Sequence, residues 1–197
     1  MMRAAGVVPF ALLFAATPAQ AHGNANLGDF YAGLFQPLFH FEYLLGALAI
    51  ALWSTQQAGR APFAICAGFA SGVLAGSIAA LLGQNPASAA WGPRIAMLIC
   101  GPLVAARVSL PIAAGTALAV AAGLAQGNAA TGAELSQIAR PVLWLLGLSS
   151  GAALLGAYAN AATQRFPTFW MQVGVRVVGS WITAIGLLVS VVAARAR

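Results

Sequence analysis

Six apolar runs, each roughly 16 to 25 residues long, occupy most of this 197-residue chain, and they leave few architectures open. They cover residues 37–53, 62–82, 91–106, 110–125, 138–158 and 169–193. Each is long enough to cross a bilayer as a helix with modest tilt. A membrane barrel would instead need segments of about ten residues with alternating polarity. The connecting stretches are short and rich in Gly, Pro, Asn, Gln and Ser. Charged residues make up 6% of the chain, against about 25% in an average soluble protein. So few charges cannot cover a soluble surface, and a soluble enzyme is excluded. All nine cations are scattered arginines, so the net charge of +6 forms no nucleic-acid-binding patch. The expected fold is an all-α integral membrane protein, a bundle of six transmembrane helices spanning residues 22–197 behind a targeting segment.

That segment is residues 1–21. Arg3 supplies a basic start, Ala4 to Ala16 an apolar stretch, and Ala19-Gln20-Ala21 a small-residue cleavage site. Its apolar part is too short to span a bilayer. Cleavage would leave His22 at a free N-terminus outside the cytoplasm. The amine and the imidazole could then chelate one metal ion together; a frayed, solvated end is the other reading. An uncleaved first helix is the alternative to cleavage. With the mature N-terminus outside, Arg60, Arg107 and Arg165 each fall in a cytoplasmic loop, as the positive-inside rule requires. Arg94, Arg140, Arg195 and Arg197 fall near the outer side and oppose that reading. The expected location is the inner membrane of a bacterium, in a multi-pass arrangement.

The second run places Gly68, Gly72 and Gly76 four residues apart, flanked in register by Ala64 and Ala80. Such a ridge lets another helix backbone approach closely, whether from the same chain or from a membrane protein partner or second copy. Gly147 and Gly151 repeat the spacing in the fifth run, and Gly179, Thr183 and Gly186 offer small positions in the sixth.

Ionisable groups are costly within a bilayer, so the few present are informative. The densest cluster opens the first run: Gln36, Pro37, His40, Glu42 and Tyr43. On a continuous helix Gln36, His40 and Tyr43 share one stripe, Glu42 points elsewhere, and Pro37 fits the first turn. The stripe reads either as an outer metal- or proton-binding entrance or as a wet structural belt at headgroup level. Arg176 lies two turns inside the sixth run. It can snorkel to the headgroups, or pair with an acid or with helix-end carbonyls. Glu42 starts at the opposite face, so a Glu42–Arg176 pair would need a broken helix. Cys66 and Cys100 read as small apolar fillers, with a soft metal site as the other option.

The arrangement resembles the HupE/UreJ family of small bacterial membrane proteins, linked with hydrogenase and urease operons and with nickel uptake. That family carries a first-helix pattern like H-P-x-x-G-x-D-H-L-L-A; residues 36–46 here read QPLFHFEYLLG. A fourth-helix pattern like H-G-x-A-H-G-x-E corresponds to QGNAATGAE at 126–134, with one extra residue. Arg176 and Gly179 resemble the family's last helix. The resemblance implies handling of a divalent metal, nickel or cobalt, as transported substrate with no permanently bound cofactor. It places that site at Gln36, His40, Glu42 and Tyr43, with Glu134 and Gln126 contributing from an outer loop. The family's histidines correspond to Gln36, Tyr43, Gln126 and Thr131. Amide and hydroxyl side chains are poor ligands for such a metal, and His40 is the remaining nitrogen donor. A permease for a divalent metal, or a non-transporting accessory subunit of a metalloenzyme, are the readings this supports. No hydrolase or cofactor motif argues for an enzyme.

Overall fold

A computed structural model describes residues 28–165 and 168–195. The targeting segment and His22 lie outside the described residues. Among those described, the chain forms seven α-helices: α1 (Gly28–Phe39), α2 (Phe41–Thr55), α3 (Ala61–Leu81), α4 (Gly92–Ala106), α5 (Ile112–Glu134), α6 (Pro141–Arg165) and α7 (Phe169–Arg195). A short 3-10 turn, Ala87–Trp91, leads into α4. With that turn counted into α4, the last five are each long and apolar enough to cross a membrane.

The first span departs from expectation. Instead of one helix over 37–53, α1 and α2 meet at His40 with an 82° bend. Pro37 therefore lies in the last turn of α1, not in a first turn. A proline nitrogen donates no hydrogen bond, which weakens the helix around it. Two residues later α1 ends, and His40 takes an extended conformation (φ −122°, ψ 99°) before α2 starts. The helix of the fourth run, α5, also extends further than expected, to Glu134 rather than residue 125. Rising polarity from Gln126 onward suggested a loop. Yet Gln126, Asn128 and Thr131 are buried, so the backbone there must bond to itself and stays helical. Likewise α6 is shifted to Pro141–Arg165 from 138–158.

The glycine ridge packs within the chain. A Cβ at Gly72 would strike the Val120 carbonyl, and one at Gly76 the Leu124 carbonyl; at Gly68 it would meet Thr116 Cγ2 at 2.9 Å. The facing helix reciprocates: Gly123 and Gly127 lie against the Phe69 and Val73 carbonyls. α3 and α5 therefore run parallel with backbones in contact. The same device joins α1 to α6 through Gly33, Gly147 and Gly151, and α4 to α7 through Gly101, Gly179 and Gly186. Trp53, Ile50, Ile65, Met97 and Ile182 fill the core between these seams. α2 lies at the centre, packed against α3, α4 and α6 and touching α5 and α7.

The two ends of the bundle differ in charge. Asp29, Glu42 and Glu134, the three acids of the whole chain, all lie at the end where α3 and α5 finish. The opposite end carries Arg60, Arg107, Arg165 and Arg176.

Candidate functional site

The break between α1 and α2 sets His40 at the acidic end, outside any helical turn. Its Nδ1 lies 2.7 Å from Gln36 Oε1, and its ring stacks obliquely on Tyr43 at 5.5 Å. Gln36, His40 and Tyr43 thus stay together, although no continuous helical stripe links them. On the other side of the ring, His40 Nε2 stands 4.0 Å from Glu134 Oε1. Glu134 comes from the last residue of α5, not from a loop. The His40 side chain is 47% exposed, so this pair faces outward.

Glu42 takes a different partner. Arg94, in the first turn of α4, approaches it with Nε 3.0 Å from Oε2 and NH2 3.2 Å from Oε1. Arg94 also lies over the Trp91 ring at 5.3 Å. This two-pronged pair is mostly shielded from solvent. It gives Arg94 a counter-ion at the end of the bundle where the acids lie. Sequence reasoning missed the pairing; its one signal was an acid and a cation near the start of two spans. Asp29 caps the neighbouring helix start, accepting from the Arg140 backbone N–H.

Behind the mouth lies a layer of neutral polar side chains. Gln36 is 2% exposed. Gln126 Nε2 donates to the Tyr43 carbonyl at 3.0 Å. Gln36, Tyr43 and Gln126 line a void of about 10 Å³, sealed by Val73, Leu148 and Ala152. Gln36 Nε2 and Gln126 Oε1 make no hydrogen bond to protein atoms. Thr131 is fully buried and accepts from Trp144 Nε1 at 3.0 Å, which commits its hydroxyl to structure. Gln36, Gln126, Tyr43 and Thr131 therefore present two amides, a phenol and an occupied hydroxyl.

Among the described residues no three His, Cys, Asp or Glu side chains converge on one point. His40 and Glu134 come together, while Glu42 is turned to Arg94. Arg176 lies at the far end, where its Nε donates to the Ala105 carbonyl at 2.9 Å in the last turn of α4. That is the helix-end carbonyl partner, and it is distant from Glu42. Cys66 touches Ser54 Oγ at 3.3 Å and Asn160 Nδ2 at 3.5 Å, while Cys100 is buried in the core.

A bundle with five helices long and apolar enough to cross a membrane, and a sixth candidate bent by 82° beside a polar mouth, marks a multi-pass helical membrane protein. The chain belongs to the HupE/UreJ family, matching the description "HupE / UreJ protein" over residues 10–189. No curated protein and no solved structure matches it. Membership ties the chain to a nickel- or cobalt-related accessory or permease role.

Proposed function

We propose that this protein is a permease for a divalent transition metal of the nickel or cobalt class, with His40 and Glu134 as the outer entrance. The observation that carries this reading is the 82° break between α1 and α2. Transporters commonly place substrate at discontinuous helices, where backbone and side chains are free to reach a cavity. Here the break holds the one imidazole of the described residues opposite a carboxylate. A neutral imidazole nitrogen suits such a metal, and the carboxylate offsets its charge. Gln36 orients the ring through Nδ1, leaving Nε2 toward Glu134, as a supporting residue does for a metal-bound histidine. Beyond this mouth the path is closed at the Gln36–Tyr43–Gln126 layer, so passage requires α1 and α2 to move. In this reading the acidic end faces out of the cytoplasm of a bacterial inner membrane, with Arg60, Arg107 and Arg165 inside.

The test is titration of the purified chain with nickel and cobalt, together with uptake by cells expressing it. Binding at micromolar metal that is lost in His40→Ala and Glu134→Gln, with uptake lost in parallel, is the expected result. Absence of binding by the parent chain overturns the permease reading.

A second reading, a non-transporting accessory subunit, draws on the Glu42–Arg94 pair. A carboxylate already neutralised by arginine offers little to a cation, and the buried amides add weak ligands. Under this reading the parent chain takes up no metal but co-purifies with a metalloenzyme component.

A further inference from the structure

At the arginine end, α3 and α6 border a cavity of about 530 Å³ that is almost wholly apolar. Pro62, Phe63 and Ala67 form one wall, and Ala153, Gly156 and Ala157 the other. Phe63, Ala67, Ala153 and Ala157 are exposed at its sides, so the cavity opens laterally between two spanning helices. Its floor is the Cys66 thiol, held by Ser54 and Asn160. In a membrane protein, an apolar recess of this kind adjoins acyl chains rather than water.

The residues that follow two of its lining positions carry charge of one sign. Gly59 and Gln164 line its rim, and their chain neighbours are Arg60 and Arg165. Both arginines are exposed, and neither guanidinium makes a hydrogen bond or ion pair with the other described residues. No acid can answer them at this end, because Asp29, Glu42 and Glu134 are the only acids in the chain and all lie at the other. The remaining arginines here are engaged: Arg107 donates to Gln172 and Arg176 to the Ala105 carbonyl. Arg60 and Arg165 are thus two cations without counter-charge beside an apolar recess. Basic pockets between spanning helices recognise anionic lipid headgroups.

We propose that the α3–α6 cavity is a binding site for an anionic phospholipid, with an acyl chain against Cys66 and the headgroup phosphate between Arg60 and Arg165. This site is at the opposite end from the metal entrance, and does not depend on that reading. A zwitterionic lipid would fill the recess equally well but would gain less from the two guanidinium groups. Each arginine should favour anionic lipid by about fivefold, and the pair by about 25-fold.

The experiment uses the full chain, delipidated in detergent and titrated with phosphatidylglycerol or phosphatidylcholine, with bound lipid counted by native mass spectrometry. Cys66 supplies a second readout, since Cys100 is buried: lipid in the cavity should slow its labelling by an apolar maleimide. Expected are a preference for phosphatidylglycerol, its loss in Arg60→Gln/Arg165→Gln, and protection of Cys66 by the lipid. Ala67→Phe/Ala153→Phe, which fills the recess from its exposed side, should remove both lipids alike. Equal affinity of the parent chain for the two lipids overturns the proposal. So does an unchanged preference in the arginine variant, or protection of Cys66 by inorganic phosphate alone. The arginine variant alters only exposed side chains, so the test stands even if the phenylalanine variant fails to fold.

Discussion

The α3–α5 seam and the α1–α2 break are built on opposite principles. In the seam, small residues repeat every four positions on both helices, and the backbones touch over several turns. Every contact there is apolar or backbone, apart from Ser77 donating to the Gly127 carbonyl at 3.2 Å and Asn128 to the Gly76 carbonyl at 3.4 Å. At the break, regularity is lost within one residue, and polar groups from α1, α2, α4 and α5 gather around it. The seam fixes the scaffold; the break frees side chains to face one another. Rigid seams on either side, α3–α5 and α1–α6, hold the break open in a defined place.

The largest effect separating the two regions should come from Gly76→Leu. The new side chain would sit on the Leu124 carbonyl, where only backbone can give way. The cost should exceed the about 1–3 kcal/mol of ordinary overpacking, and the yield of monodisperse protein in detergent should collapse. A Gly76→Leu protein as stable as the parent would mean that α3 and α5 are not in contact.

Next in size is Arg94→Gln, which leaves Glu42 without its counter-ion. The pair is partly shielded, so the loss should fall between about 1 kcal/mol for an exposed pair and about 3–5 kcal/mol for a fully buried one. Arg94→Gln/Glu42→Gln should recover much of the thermal stability lost by the single variant. Equal melting temperatures for the single and double variants would deny the coupling.

Thr131→Val tests the layer behind the mouth. It removes the acceptor of Trp144 Nε1 in a fully buried place, at a cost of about 1–3 kcal/mol. Thermal unfolding of the variant, read beside the parent, measures it. A change below a few tenths would show that the Trp144 indole finds another acceptor.

The smallest effect should be that of Gly174→Ala in α7, where a Cβ meets nothing within 4 Å. Relative to glycine, alanine favours a helix interior by up to about 1 kcal/mol, so stability should hold or rise slightly. A marked loss would point to an unseen neighbour on that face of α7 and would blur the contrast with Gly76.

Much of the architecture could be read from the chain itself. Residue hydropathy is additive along a segment, so run length and composition fixed the membrane class and the approximate position of five spans. The four-residue spacing of Gly68, Gly72 and Gly76 announced a close contact, because helix geometry alone puts those residues on one face. The family motifs at 36–46 and 126–134 drew attention to the polar residues that do meet at one end. Other features depend on what comes close in space. Nothing in the order of residues says that α3 pairs with α5, two spans along, and so the partner of the ridge stayed open. Pro37 could begin a helix or help to end one, and α1, held against α6 through Gly33, decided for the end. The stretch after Gln126 looked like a loop by polarity, yet burial kept its backbone helical. Glu42 met Arg94 because α2 and α4 pack side by side, 52 residues apart in the chain. Local periodicity is a property of one segment, whereas ion pairs and buried hydrogen bonds belong to two, and only the tertiary structure brings the second to the first.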